Sequence, residues 1–117
     1  MKKVIHVDNS DFFRKLMKNF LEKEGFEVES FDTTMEADVA ILGGAMYMVI
    51  MGLAFADSSG EDFLSRTAES YGGPIIVVSS SVDSILEEKL IALGAAGAIN
   101  KSGSWQGDLR THLSALK

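Results

Sequence analysis

The sequence predicts a parallel α/β fold, one domain over residues 1–117 built from five strand–helix units. Two observations carry this. Short apolar runs of strand length alternate with segments of helical period, the pattern of a parallel sheet with helices on its faces. Four of the runs also end alike. Val4-Ile5-His6-Val7 meets Asp8, Met46 to Met51 meets Gly52, Ile75 to Val78 meets Ser79, and Ala98-Ile99-Asn100 meets Lys101. In an open parallel sheet ligands gather beyond the carboxyl ends of the strands, so these four endings describe one shared site.

Each element has its own warrant. Val4 to Val7 is a short, mostly β-branched run. Ser10 to Glu24 reads as an amphipathic helix: Phe12, Phe13, Leu16, Met17, Phe20 and Leu21 form a wide apolar stripe. Arg14, Lys15, Lys18 and Glu22 lie opposite as a solvated face, and Gly25 suits a left-handed stop. Phe26 to Phe31 alternates with period two, as a strand with a wet face or edge does. Thr33 and Glu36 make a capping box for a short helix ending at Gly43-Gly44. Asp38 to Leu42 also fits a strand, but a parallel strand needs a crossover before the next one, so the helix is preferred.

Met46 to Met51 is apolar throughout, as a central strand buried on both faces should be. After a loop, a helix runs from Ser59 to Tyr71 with Ser58 or Ser59 as its N-cap. Gly72-Gly73-Pro74 turns the chain into the fourth strand. Val82 to Leu93 forms a helix capped by Ser81 and stopped at Gly94. A short fifth strand and a helix from Ser104 to Leu116 complete the chain.

Composition narrows the function classes. A net charge of −6 argues against a nucleic-acid or anionic-membrane surface, since both are polyanions. The absence of cysteine removes disulfides and thiolate metal sites. No apolar stretch is long enough for a membrane span or signal peptide, so the expected location is cytoplasmic.

The segments VIHVDNS, MVIMGL, IIVVSSS and GAAGAINKS, in this order and spacing, resemble the receiver domains of two-component response regulators. The resemblance covers essentially the whole chain. It implies a flavodoxin-like (βα)5 three-layer sandwich with strand order 2-1-3-4-5, and a bacterial phosphorelay setting. In that family the site holds an acidic pair, a phospho-acceptor aspartate, a hydroxyl and a lysine. Asp8 and Asn9 match the pair, Gly52 the acceptor, Ser79 the hydroxyl and Lys101 the lysine.

Several matches depart from the family pattern. Glycine supplies no nucleophilic oxygen at Gly52. One carboxylate is left of the usual three, so Mg²⁺ should bind weakly, with Asp8 its ligand if any; the preferred reading of Asp8 is as an ion-pair partner of Lys101. Ser79 is either the family's switch hydroxyl or a serine at a helix entry. Ala98 stands where the family has an aromatic toggle, and Ser102 replaces the proline after the lysine, so no cis peptide is expected there. Asp57, the nearest acid downstream of Gly52, lies before an N-cap and reads as helix-dipole and turn support.

Among other candidates, His6 and His112 have no partner at metal or catalytic spacing. Trp105 falls on a helical stripe with Leu109, His112 and Leu116, which favours core packing, while Phe55 in the loop after Gly52 is a candidate for an exposed contact.

These matches imply an atypical receiver: no enzyme and no cofactor, but a phosphorylation-independent module that binds a protein partner. The family's partner surface, between the fourth helix, fifth strand and fifth helix, maps to Glu87, Lys89, Ala98, Asn100, Trp105 and His112. Two alternatives stand beside it. One is an active receiver phosphorylated by a histidine kinase at a displaced acid, Asp8 or Asp57. The other is a small-ligand sensor using the vacated pocket. Partner identity and oligomeric state are not encoded in these features.

Overall fold

The computed structural model describes residues 2–44 and 46–115. In chain order the elements are β1 (Lys2–Val7), α1 (Asp11–Lys23), β2 (Phe26–Phe31), α2 (Thr34–Leu42), β3 (Met48–Met51), α3 (Gly60–Tyr71), β4 (Ile75–Ser79), α4 (Ser84–Ala92), β5 (Gly97–Asn100) and α5 (Trp105–Ala115). The strands pair in parallel in the order β2-β1-β3-β4-β5. Val4 sits opposite Val28 on one side and Met48 on the other, and Ile76 opposite Gly97.

Alternation along the strands makes two cores. Val4, Ile50, Ile76, Val78 and Ile99 face α1 and α5, meeting Phe13, Met17, Phe20, Trp105 and Leu109. Ile5, Val7, Val49, Met51, Ile75 and Val77 face the other way, against Ala37 of α2, Phe63 and Leu64 of α3 and Leu90 of α4. This is the three-layer sandwich expected from the sequence. At about 25 cal/mol per Å² of apolar surface, burial on both faces is what fixes the register of β1, β3 and β4.

Several local expectations are corrected. β3 begins at Met48, not Met46, although Tyr47 already donates its N–H to Lys3 O of β1. The helix preferred for Asp38 to Leu42 over a strand is the one formed, since α2 runs through to Leu42. The cap of α4 is Asp83, whose carboxylate accepts from Leu86 N at 2.8 Å; Ser81 instead turns the chain with φ +63°. Leu116, the expected end of α5, lies outside the described residues.

The stripe on α1 is narrower than its composition suggests. Phe13, Met17, Phe20 and Leu21 are buried, but Phe12 and Leu16 lie one residue, or 100°, round the helix and are 72% and 37% exposed. Phe55 is half-buried, with its ring 6.2 Å from that of Phe63, so it is no free contact.

Asp57 has a larger role than local turn support. Its carboxylate reaches 23 residues back to the start of α2, accepting from Thr34 N (3.2 Å), Thr34 Oγ1 (3.0 Å) and Met35 N (2.9 Å). It supports the dipole of α2, not that of the helix that follows it, and ties the loop after β3 to α2. Partial desolvation works against its charge, but the Met35 and Thr34 donors win and hold the carboxyl below its ordinary 3.8. A depressed carboxyl stabilises the fold above the ordinary value and loses that contribution as pH falls through the folded one. Asp57→Asn is therefore expected to lower the melting temperature at pH 7. Melts repeated at pH 3 should show the gap to the parent narrowing; an unchanged gap would contradict the clamp.

Candidate functional site

The strand ends bring Asp8, Gly52 and Lys101 into contact. Asp8 extends the β1 ladder, giving its N–H to Phe31 O, and is 1% exposed. Its Oδ1 accepts from Ser10 N at 2.8 Å, and Ser10 in turn caps α1 by accepting from Phe13 N. This Asx turn followed by an N-cap aims the carboxylate inward. Oδ2 has the Lys101 ammonium at 2.9 Å as its partner.

Lys101 is placed by the sheet. It follows β5 directly and donates its N–H to Ser79 O, prolonging the β4–β5 ladder. Its ammonium lies 4.4 Å from the centre of the Phe13 ring, a cation–π contact that adds to the pull of Asp8. Gly52 donates its N–H to Val7 O and is buried. A Cβ at Gly52 would stand 3.0 Å from Asp8 Oδ2, so the Asp8 carboxylate rests against the glycine.

The remaining predicted residues divide. Ser79 is half-buried at the end of β4, and its hydroxyl makes a long 3.5 Å bond to Ser80 O. Asn9 is exposed. Ser102 gives its N–H and hydroxyl to Asn100 Oδ1, while Asn100 Nδ2 donates to Val82 O. That chain pins the loop after β4 to the loop after β5. Among the described residues no group of three His, Asp or Glu side chains could hold a metal ion.

Arg14 is the site residue that the sequence reading missed. Its position opposite the apolar stripe suggested a solvated face, yet its side chain is 18% exposed. Nη1 donates to the Asp8 carbonyl at 2.6 Å and Nη2 to Asp11 at 3.1 Å. The one sequence signal was its spacing, one turn beyond the Ser10 cap, which brings a long side chain back over the turn.

The predicted partner surface contracts. Glu87, Ala98, Asn100 and His112 line one cleft between α4, β5 and α5. Lys89 faces away and pairs with Glu61 of α3 at 3.0 Å. Trp105 is 6% exposed, its ring 5.1 Å from Phe13 and 5.3 Å from Phe20. The helical stripe that put Trp105 in the core is right, and its place on the surface is not.

His6 lies in β1 with no exposure and neither ring nitrogen hydrogen-bonded. Burial pushes its pKa from 6.5 down to about 4, against the pull of Asp8 and with the help of Lys101 and Arg14. Between those values the unfolded chain takes up a proton that the folded one refuses. Stability therefore falls as pH drops from about 6.5 to 4, and this group's effect levels off below. At about 1.4 kcal/mol per unit the loss is about 3 kcal/mol. His6→Leu is expected to remove it, seen as a stability difference from the parent that grows in urea titrations from pH 7 to pH 4; parallel curves would refute the assignment.

Comparison with known proteins agrees with this geometry. The family model described as response regulator receiver domain matches residues 4–113. No curated protein sequence matches the chain. Among solved structures, the chemotaxis response regulator CheY4 of Vibrio cholerae superposes with a TM-score of 0.89 at 22% identity, covering 100% of this chain and 99% of that one. The response regulator TrrA from Thermotoga maritima, solved with Mg²⁺ and a beryllium fluoride, gives 0.87 at 23% identity, with both chains fully covered at 100%. A two-component response regulator from Clostridium difficile gives 0.90 at 16% identity over 99% of this chain and 95% of that one.

Proposed function

The chain belongs to the response regulator receiver domain family, and from that premise we propose that it is a cytoplasmic, non-enzymatic module that binds a protein partner without being phosphorylated. One observation carries the reading. At the end of β3, where an in-line acceptor must stand, Gly52 has no side chain, and the Asp8 carboxylate leans to within 3.0 Å of where its Cβ would be.

The other acids support the same reading. Both oxygens of Asp57 are engaged by α2. Asp8 is held by Ser10 N on one oxygen and by Lys101 on the other. Neither offers a free nucleophile, which weighs against phosphorylation at a displaced acid.

The Mg²⁺ ion that the family's chemistry implies does not fit these residues. Octahedral oxygen coordination needs a carboxylate free to ligate, and the buried Asp8 carboxylate is already paired with an ammonium. The Arg14 guanidinium on the Asp8 carbonyl brings a second cation to the same place. Like charges at this range oppose entry of a dication, so no step is routed through the metal.

Incubation with acetyl phosphate and Mg²⁺ is expected to leave the intact mass unchanged. An increment of one phosphoryl group, placed on an aspartate by fragmentation, would overturn the reading. Gly52→Asp tests the geometry from the opposite direction. It sets two carboxylates in contact, which should lower stability by about 1–2 kcal/mol at pH 7, one pKa unit being worth about 1.4 kcal/mol. Millimolar Mg²⁺ should restore the melting temperature of this variant and leave that of the parent where it was.

A further inference from the structure

The cleft between α4, β5 and α5 offers about 400 Å³ and is open to solvent. It runs along β5, an edge strand that pairs only with β4. Its floor is Ala98, 8% exposed, with no side chain beyond Cβ to fill the space above. One wall is the first turns of α4, with Asp83 and Glu87; the other is α5, with Asp108 and His112. The imidazole lies across Gly97, where a Cβ would collide with His112 Cε1, so this wall packs directly on a glycine.

The charge of this cleft is one-sided. Asp83, Glu87 and Asp108 line it, and among the described residues no lysine or arginine does. The N-termini of α4 and α5 each offset about half a charge. About two negative charges remain against a chain already at −6. The nearest basic residue on α4, Lys89, is turned away to Glu61.

We propose that this cleft takes one aromatic side chain, carried on a lysine- or arginine-rich segment of a partner protein, with the ring seated over Ala98 and the cations on Asp83, Glu87 and Asp108. The proposal rests on the phosphorylation-independent reading above and names the chemistry of the partner. Val82, Ala98 and Ile99 give the cleft an apolar floor with room for an aromatic ring and its flanking residues, the kind of anchor that dominates protein interfaces. The surrounding carboxylates steer a basic segment and repel an acidic one.

Random-peptide display on the immobilised domain tests this without knowing the partner. The expected consensus is an aromatic residue with lysine or arginine within three positions. Amide shifts on adding the consensus peptide should centre on Gly97, Ala98, Asn100 and His112. Replacing the peptide's aromatic residue with alanine should weaken binding about tenfold or more, the scale of losing one buried anchor. Ala98→Phe, which fills the slot, and Glu87→Lys should each do the same while keeping a folded amide spectrum. A consensus lacking either feature, binding retained in Ala98→Phe, or no consensus at all would overturn the proposal. The peptide-side control needs no altered protein, so it decides even if a variant misfolds. Failure here with no phosphoryl increment from acetyl phosphate removes only the partner chemistry; an increment removes the reading beneath it.

Discussion

A carboxylate with 1% exposure at the mouth of a parallel sheet must be paired, and the pairing of Asp8 with Lys101 organises everything around it. Truncating one partner of a buried pair typically costs about 3–5 kcal/mol, because the other charge is left stranded. Lys101 can reach Asp8 because its backbone prolongs β5 against Ser79. Asp8 can receive it because the Ser10 turn fixes the carboxylate and Gly52 leaves room beside it. β1, β3 and β5 are not all neighbours in the sheet, so this one ion pair couples its centre to its edge.

The same pair engages the charged groups at the strand ends. Sites that respond to phosphate or metal need groups that are free to exchange partners. Here the anion has an ammonium on one oxygen and an amide on the other, and a guanidinium holds its backbone carbonyl. The loops on either side are fastened too, one by Asn100 with Val82 and Ser102, the other by Asp57 with α2. The strand ends are thus closed over by these contacts, while the cleft at the β5 edge stays open.

The sequence made the fold legible because period-two and period-3.6 patterns change with each element, and all ten elements were placed. Their edges were less legible, since a cap depends on which oxygen meets which N–H: Asp83 and Ser81 are both good N-cap neighbours, and only backbone geometry separates them. The strand-end residues were readable from order alone, including the Asp8–Lys101 contact. Arg14 and Asp57 were not, because their partners are a carbonyl and amides, which no side-chain pattern announces. Phe12 was misjudged because composition gives the width of an apolar stripe, not its centre.

The packing of Trp105 has an optical consequence. The chain holds a single tryptophan, and its indole is enclosed by Phe13 and Phe20. Emission should therefore report the seam between α1 and α5 and be nearly blind to solvent. Phe13 also carries the Lys101 ammonium on its ring, at 4.4 Å. The fluorophore is thus one ring away from the central charge pair. A change in that pair would reach the indole as a change in quenching while the fold stayed intact, a built-in gauge of the site that requires no added label.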